Sequence, residues 1–446
     1  MEDHAQLVRM DLDYLLHPMH SRAHNVNGPM VMVEGTGAVV RDATGAEYLD
    51  AFSGLWNVNV GHGRTELGQA AADQMGSLAF FSSFAGSSNV PAIKLAARLA
   101  EIAPGDLTGT FFTTGGAESI ETALKLARFY WRMAGKPEKT KIISRKHGYH
   151  GLTGAALSAT GIPAFWRNFG PLEPGYFHIP THYCFHCPWR QRYPDCGLAC
   201  ADALEQMIQT EDAETVAAFV AEPVQGAGGI IPPPADYFPK IRRICDKYGV
   251  LFIADEVITG FGRTGKMFGL EHWDVKCDLM TFAKGVTSGY VPLGGVMVSK
   301  RVHQVLKEVP DGASFDHGYT YSGHPTCCAV ALKNLEIIER EGLVERAEKV
   351  GGYLNSQLEK LEGTRGIGEV RGLGLMAAVE LAEKDGTPLP DVAAVDGKVG
   401  AYLRGHGVIT RVKGNIIMLA PPLVITEQQV DQLVETIRGA VLSAVD

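Results

Sequence analysis

LFIADEVITGFGRTG (residues 251–265) and DLMTFAKGVTSG (residues 278–289) decide the fold. Leu251 to Ala254 form a short apolar run bounded by polar residues, which suits a strand buried on both faces of a parallel sheet. Asp255 and Glu256 follow at once. Two acids therefore stand at the carboxyl end of that strand, where open α/β sheets bind their ligands. Leu279 to Ala283 form a second run that ends at Lys284 and Gly285. The spacing from Asp255 to Lys284 is 284 − 255 = 29 residues, enough for a turn, a loop and a second strand.

An acid and a lysine so placed suit a pyridoxal phosphate (PLP) site. The lysine must act as a nucleophile, and burial near positive charge lowers its pKa far enough. The aspartate must face the cofactor's ring nitrogen and keep it protonated, so that the ring can act as an electron sink. From these residues alone, a surface lysine near a strand end and a helix-capping acid fit equally well.

Outward from this stretch, the same pattern recurs. GTFFTTGGAESIETALKLARFYWR (residues 109–132) reads as a strand over Thr110–Thr113, a turn at Gly115 and Gly116, and a helix from about Ala117. Ile120, Ala123, Leu124 and Ala127 keep that helix's 3.6-residue period. Strand, glycine turn and helix N-terminus together make an anion cradle. KIISRKHGYHG (141–151) is a strand ending in a loop where Tyr149 and His150 could meet a planar cofactor. VAAFVAEPVQGAGG (216–229) is an apolar run followed by Glu222 and glycines. Runs ending near Thr113, Ser144, Glu222, Asp255 and Lys284 thus each present a polar group at a strand end, with helical spacings between them. That is the layout of a mostly parallel sheet flanked by helices.

The remaining segments are read in less detail. Residues 1–30 suggest an N-terminal arm with a short helix, and 31–50 two strand-like runs in a meander. Residues 90–103 show helical spacing with Ile93, Ala96, Ala97 and Ala100 on one side. Trp56, in SGLWNVNVGHG (53–63), reads as core or as a pocket wall. Residues 326–361 carry long helical spacings, 366–382 and 407–419 look like strands, and a helix closes the chain. A smaller α+β domain built from both termini is expected around a large central one. The expected division is 1–60, 61–325 and 326–446.

Composition limits the function classes. The chain has 446 residues, 46% hydrophobic and 20% charged, which suits a globular enzyme of two or three domains. A net charge of −9 disfavours nucleic acid and anionic membranes as partners. No apolar run reaches membrane-spanning length, and the acidic N-terminus lacks a signal-peptide core, so a cytoplasmic protein is expected. Cys184, Cys187, Cys196 and Cys200 are spaced C-x2-C-x8-C-x3-C. This matches four-ligand zinc patterns only loosely, so no metal is assigned and the thiols read as small apolar groups.

The strings FFTTGGAESIETALKLAR, HGYHG, AEPVQGAGG, IADEVITGFGRTG, FAKGVTSGYVPLGG and GYTYSGHP occur in an order and spacing that resembles the class III aminotransferases of PLP fold type I. The resemblance runs from about residue 17 to 423 and is closest to the ω-amino acid:pyruvate branch, similar to taurine and β-alanine:pyruvate aminotransferases. It implies that Lys284 carries the cofactor and then acts as the base of the proton shift, and that Asp255 pairs with the ring nitrogen. It implies that Tyr149 and Val257 flank the ring, with His150 and Glu222 nearby, and that Gly116 and Ala117 bind phosphate through backbone N–H groups. The family pattern has a serine where Ala117 stands, so one phosphate contact is lost or supplied elsewhere. Thr320 resembles a phosphate-binding threonine contributed across a homodimer or a dimer of dimers. Trp56 and Arg411 would line the substrate pocket, Arg411 by binding a carboxylate through two hydrogen bonds. The implied reaction moves an amino group from taurine, β-alanine or a related donor to pyruvate. A γ-aminobutyrate:2-oxoglutarate transaminase and a glutamate-1-semialdehyde aminomutase remain alternatives.

Overall fold

The computed structural model describes residues 3–19, 21–84 and 86–445. Three strands, β1 (Met32–Thr36), β2 (Val39–Asp42) and β3 (Glu47–Asp50), form an antiparallel meander near the N-terminus. The sequence suggested two runs there. The extra reversal comes at Gly45, whose φ of 89° is open to glycine and strained for other residues.

The central sheet has seven strands: β4 (Leu107–Thr113), β5 (Lys141–Arg145), β6 (Tyr176–Ile179), β7 (Val216–Ala221), β8 (Leu251–Asp255), β9 (Leu279–Phe282) and β10 (Gly294–Ser299). Their spatial order is β4-β10-β9-β8-β7-β5-β6. Only β10 runs against the rest, pairing antiparallel with both β4 and β9. Every residue of β7 and β8 is buried. The alternation of side chains explains why these strands read as unbroken apolar runs. Ala218, Val220, Leu251, Ile253 and Leu279 face one way, onto Ile120, Ala123, Leu124 and Ala127 of the helix Gly116–Met133. Phe219, Phe252, Ala254, Met280 and Phe282 face the other way, in a core shared with the helix Tyr237–Tyr248.

Helix Val90–Ile102 buries Ala92, Leu95 and Leu99, whereas Ile93 and Ala97 face outward. Of the expected face, Ala96 and Ala100 do pack against the core, and the face is centred on Leu95 and Leu99 rather than on Ala97. The helix packs on helix Pro325–Arg340 and on β4, and the larger leucines fill that seam. Helices Pro325–Arg340 and Leu343–Glu359 are separated by Gly342, which is left-handed at φ 57°.

Beyond them lie β11 (Ile367–Leu373), β12 (Met376–Leu381), β13 (Val408–Ile409), β14 (Arg411–Lys413) and β15 (Ile416–Leu419). Four of these make an antiparallel sheet in the order β11-β12-β15-β14. The fifth, β13, joins the N-terminal meander, pairing in parallel with β3 through Val408 opposite Leu49. A buried guanidinium secures this junction. Arg263 donates to Ser53 Oγ at 3.1 Å, Asn59 Oδ1 at 2.9 Å and the carbonyls of Pro421 and Leu375 at 2.5 and 3.3 Å. Burial pulls its pKa down to about 9.

Candidate active site

Parallel pairing puts the ends of β7, β8 and β9 on one edge of the sheet, with Asp255 directly opposite Thr281. Asp255 is the last residue of β8 and only 3% exposed. Its Oδ1 accepts from Val257 N and from Thr281 Oγ1, both at 3.1 Å. Its Oδ2 lies 2.7 Å from His150 Nδ1. A carboxylate has no proton to give, so Nδ1 is the donor and the tautomer is set. A carboxylate has about four acceptor positions, and these three bonds leave one for a ligand.

Glu222 follows β7 and is also buried. It accepts from Tyr149 N at 3.0 Å and Gly226 N at 2.8 Å, so it clamps two loops together. Burial pushes its carboxyl above the ordinary range. Lys284 starts a short 3-10 turn just past β9, with φ at 44°. Among the described residues its side-chain amine makes no hydrogen bond or ion pair, while its carbonyl accepts from Thr287 N at 3.2 Å. Burial pulls its amine below the usual lysine pKa, while the negative charges of Asp255 and Glu222 oppose that pull.

Helix Gly116–Met133 starts at the same edge. Gly115 before it is extended, and no side chain caps the first turn. Its leading amides are therefore open to an anion. Close packing fixes this end: a Cβ on Gly116 would meet Val257 Cγ1 at 2.8 Å. At Gly151, where φ is 124°, a Cβ would meet Ala117 Cβ at 2.7 Å.

Gly116, Ala117, Tyr149, His150, Glu222, Asp255, Val257 and Lys284 all line one cleft of about 200 Å³. Gly151 and Ile258 complete it. Sequence reading missed these two, and also Thr281, although its position opposite Asp255 follows once β8 and β9 are paired in parallel. Two expected strand-end groups do not reach the cleft. Thr113 Oγ1 bonds Ser119 Oγ at 2.8 Å, and Ser144 Oγ donates to the Ala159 carbonyl at 2.7 Å.

The class III aminotransferase family model matches residues 20–441. The chain belongs to the class III aminotransferases. It is 47% identical to an (S)-enantioselective omega-transaminase from Thermomicrobium roseum, whose structure superposes with a TM-score of 0.97 over 100% of both chains. It is 41% identical to a putrescine–pyruvate aminotransferase of Pseudomonas aeruginosa, over 93% of this chain and 91% of that one. An omega-transaminase of Pseudomonas jessenii, solved with PMP, is 38% identical with a TM-score of 0.95 over 98% of both chains.

Class III aminotransferases depend on PLP, and the cleft suits that cofactor. Open helix amides suit its phosphate, a buried carboxylate with a spare acceptor position suits a ring N–H, and a desolvated amine suits covalent attachment. In this aminotransferase, Trp56 lies outside that set. It is 3% exposed, has φ at 64°, and packs on Phe52 with ring centroids 4.5 Å apart, in a cluster that includes the cleft residue Ile258. Arg411 lines a neighbouring hollow of about 810 Å³ with Phe52 and Gly54, close enough to feel the Tyr149 phenol. Thr320 is exposed in a turn and points to no part of this chain's cleft. The four cysteines from Cys184 to Cys200 surround a small apolar cavity of about 20 Å³. Among the described residues no three His, Cys, Asp or Glu side chains converge as a metal site requires. No described helix is long and apolar enough to cross a membrane.

Proposed function

We propose that this aminotransferase moves the amino group of an ω-amino acid or amine, such as taurine or β-alanine, to pyruvate, giving an aldehyde and L-alanine. The observation that carries this reading is Arg411. It is partly buried beside Tyr149, and among the described residues its guanidinium has no carboxylate and no hydrogen-bond partner. A desolvated guanidinium without an anion is poised to take one from a substrate. The similarity to a putrescine–pyruvate enzyme supports the choice of acceptor.

In this reading bound PLP supplies an electron sink for negative charge at the substrate's amine-bearing carbon. Lys284 Nζ, held partly desolvated, takes the proton from that carbon. Asp255, fixed by His150, Thr281 and Val257 N, keeps its charge directed at the ring nitrogen. Tyr149 and Val257 hold the ring from its two faces, the helix amides at Gly116 and Ala117 hold the phosphate, and Trp56 stiffens the wall behind Ile258. His150 and Glu222 act by position, one on Asp255 and the other on the Tyr149 loop.

The same proposal makes the enzyme a cytoplasmic homodimer or dimer of dimers with shared sites. Thr320 is turned outward beside exposed Tyr321, and exposed Phe80, Phe81 and Phe84 lie on the same surface. An apolar patch of this kind favours a partner. Purified enzyme assayed against taurine, β-alanine, putrescine and γ-aminobutyrate, each with pyruvate, glyoxylate and 2-oxoglutarate, tests the reaction. Alanine formation from pyruvate should dominate. Amine returned to the donor's own carbon skeleton without any keto acid would instead make the protein an aminomutase.

A further inference from the structure

Arg411 and Lys413 lie two residues apart on β14, so they project from the same face of the strand about 6.7 Å apart at their roots. Lys413 Nζ sits 4.8 Å from the centroid of the Phe165 ring. Phe165 in turn meets Tyr149 edge-on, with centroids 5.5 Å apart. This chain of contacts leads from Lys413 to a wall of the PLP cleft. Among the described residues neither cation has an acidic partner. Asp396, on the neighbouring helix Val392–Gly405, is engaged elsewhere: its carboxylate accepts from Gly414 N at 2.7 Å and Asn415 N at 2.9 Å. Those two bonds fix the hairpin turn and so fix where Lys413 is rooted. Partial burial of its stem and, after it, the nearby Arg411 charge lower the Lys413 pKa. An anion with two charged ends relieves both cations at once.

We propose that Lys413 is a second anion-binding residue of this site, taking the distal carboxylate of a dicarboxylic substrate whose proximal carboxylate sits on Arg411. The inference rests on the placement of Arg411 in the substrate pocket. It extends the acceptor range from pyruvate to dicarboxylic keto acids and their amino forms. Phe165 supports the ammonium from below through its ring face and keeps it near the cleft mouth. The lysine is exposed, so its share is that of a screened ion pair.

The test uses the PLP-loaded enzyme and the variants Lys413→Met and Lys413→Arg. Glutarate, which carries no amino or keto group, is titrated by calorimetry at low and high salt, with acetate as the single-carboxylate control. Glutarate affinity should fall about fivefold in Lys413→Met, recover in Lys413→Arg, and lose its advantage at high salt. The ratio of kcat/KM for 2-oxoglutarate over pyruvate should fall by a similar factor. Unchanged glutarate binding in Lys413→Met, or equal losses for glutarate and acetate, overturns the proposal. If the wild-type enzyme transfers nothing to either keto acid, the proposed reaction fails, while the glutarate titration still decides the role of Lys413.

Discussion

At the scale of single residues, Asp255 and Lys284 form a coupled pair. Asp255→Asn keeps the side-chain shape and removes the charge. It should slow proton abstraction by about 3–5 kcal/mol, or roughly two to four powers of ten, measured in single-turnover reactions. A loss under about tenfold would mean the acid faces something other than the ring nitrogen. The same variant carries a pH signature. Asp255 favours the ammonium form of Lys284, so removing its charge lowers the lysine pKa further. PLP capture by the apoprotein requires free amine and rises as pH passes through that pKa. Its midpoint should therefore move to lower pH in Asp255→Asn, and a midpoint that stays put or rises would separate the two residues. Lys284→Ala should abolish turnover, and borohydride should no longer fix PLP to the chain.

At the scale of elements, the edge that lines the cleft was legible because apolar runs ending in charge have few other uses. Glu222 and Lys284 come just past β7 and β9, and Asp255 ends β8, as the runs suggested. Thr113 and Ser144 read the same way but satisfy neighbouring groups, because a hydroxyl can turn inward where a carboxylate or ammonium resists burial. On helix Val90–Ile102 the expected Ala96 and Ala100 do face the core while Ile93 and Ala97 do not, since alanines carry little directional signal and Leu95 and Leu99 decide the packing. Trp56 read as core or pocket wall from its glycine-rich surroundings, and only the family resemblance singled out Arg411, as no local pattern marks it. Glycine contacts at the cradle offer a test of this scale. Gly151→Ala asks for a positive φ and a Cβ 2.7 Å from Ala117 Cβ, at the turn against the helix start. It should cost about 1–3 kcal/mol of local strain and weaken PLP retention without altering the Lys284 chemistry. PLP release timed by absorbance would show this, and wild-type retention would mean the helix end tolerates displacement.

At the scale of the whole molecule, we propose the division 1–60, 61–325 and 326–446, with the two outer segments forming one smaller body. The shared-site proposal is tested there too. Thr320→Ala should weaken PLP retention in a homodimer, and mixed dimers carrying one intact threonine should recover one site of two. A fully active monomer by light scattering, or normal retention in the variant, would remove the shared phosphate contact. The outward turn of Thr320 and the exposed, mutually packed rings of Phe80 and Tyr321 belong to the same surface, so mutation of either ring should shift the association constant in the same direction.

The parallel pairing of β3 with β13 also bears on how the chain is made. Leu49 N donates to Gly407 O at 2.8 Å and Ala51 N to Ile409 O at 2.9 Å, so the meander's last edge is completed by residues 408 − 49 = 359 positions downstream. At a synthesis rate of about 5–20 residues per second, that partner follows roughly 20–70 s later. For that interval the nascent chain carries an open strand edge, a template for pairing with the wrong polypeptide. Crowded polysomes expose neighbouring copies of that same edge, so mispairing between nascent chains competes with the native pairing until residues 408–409 are made.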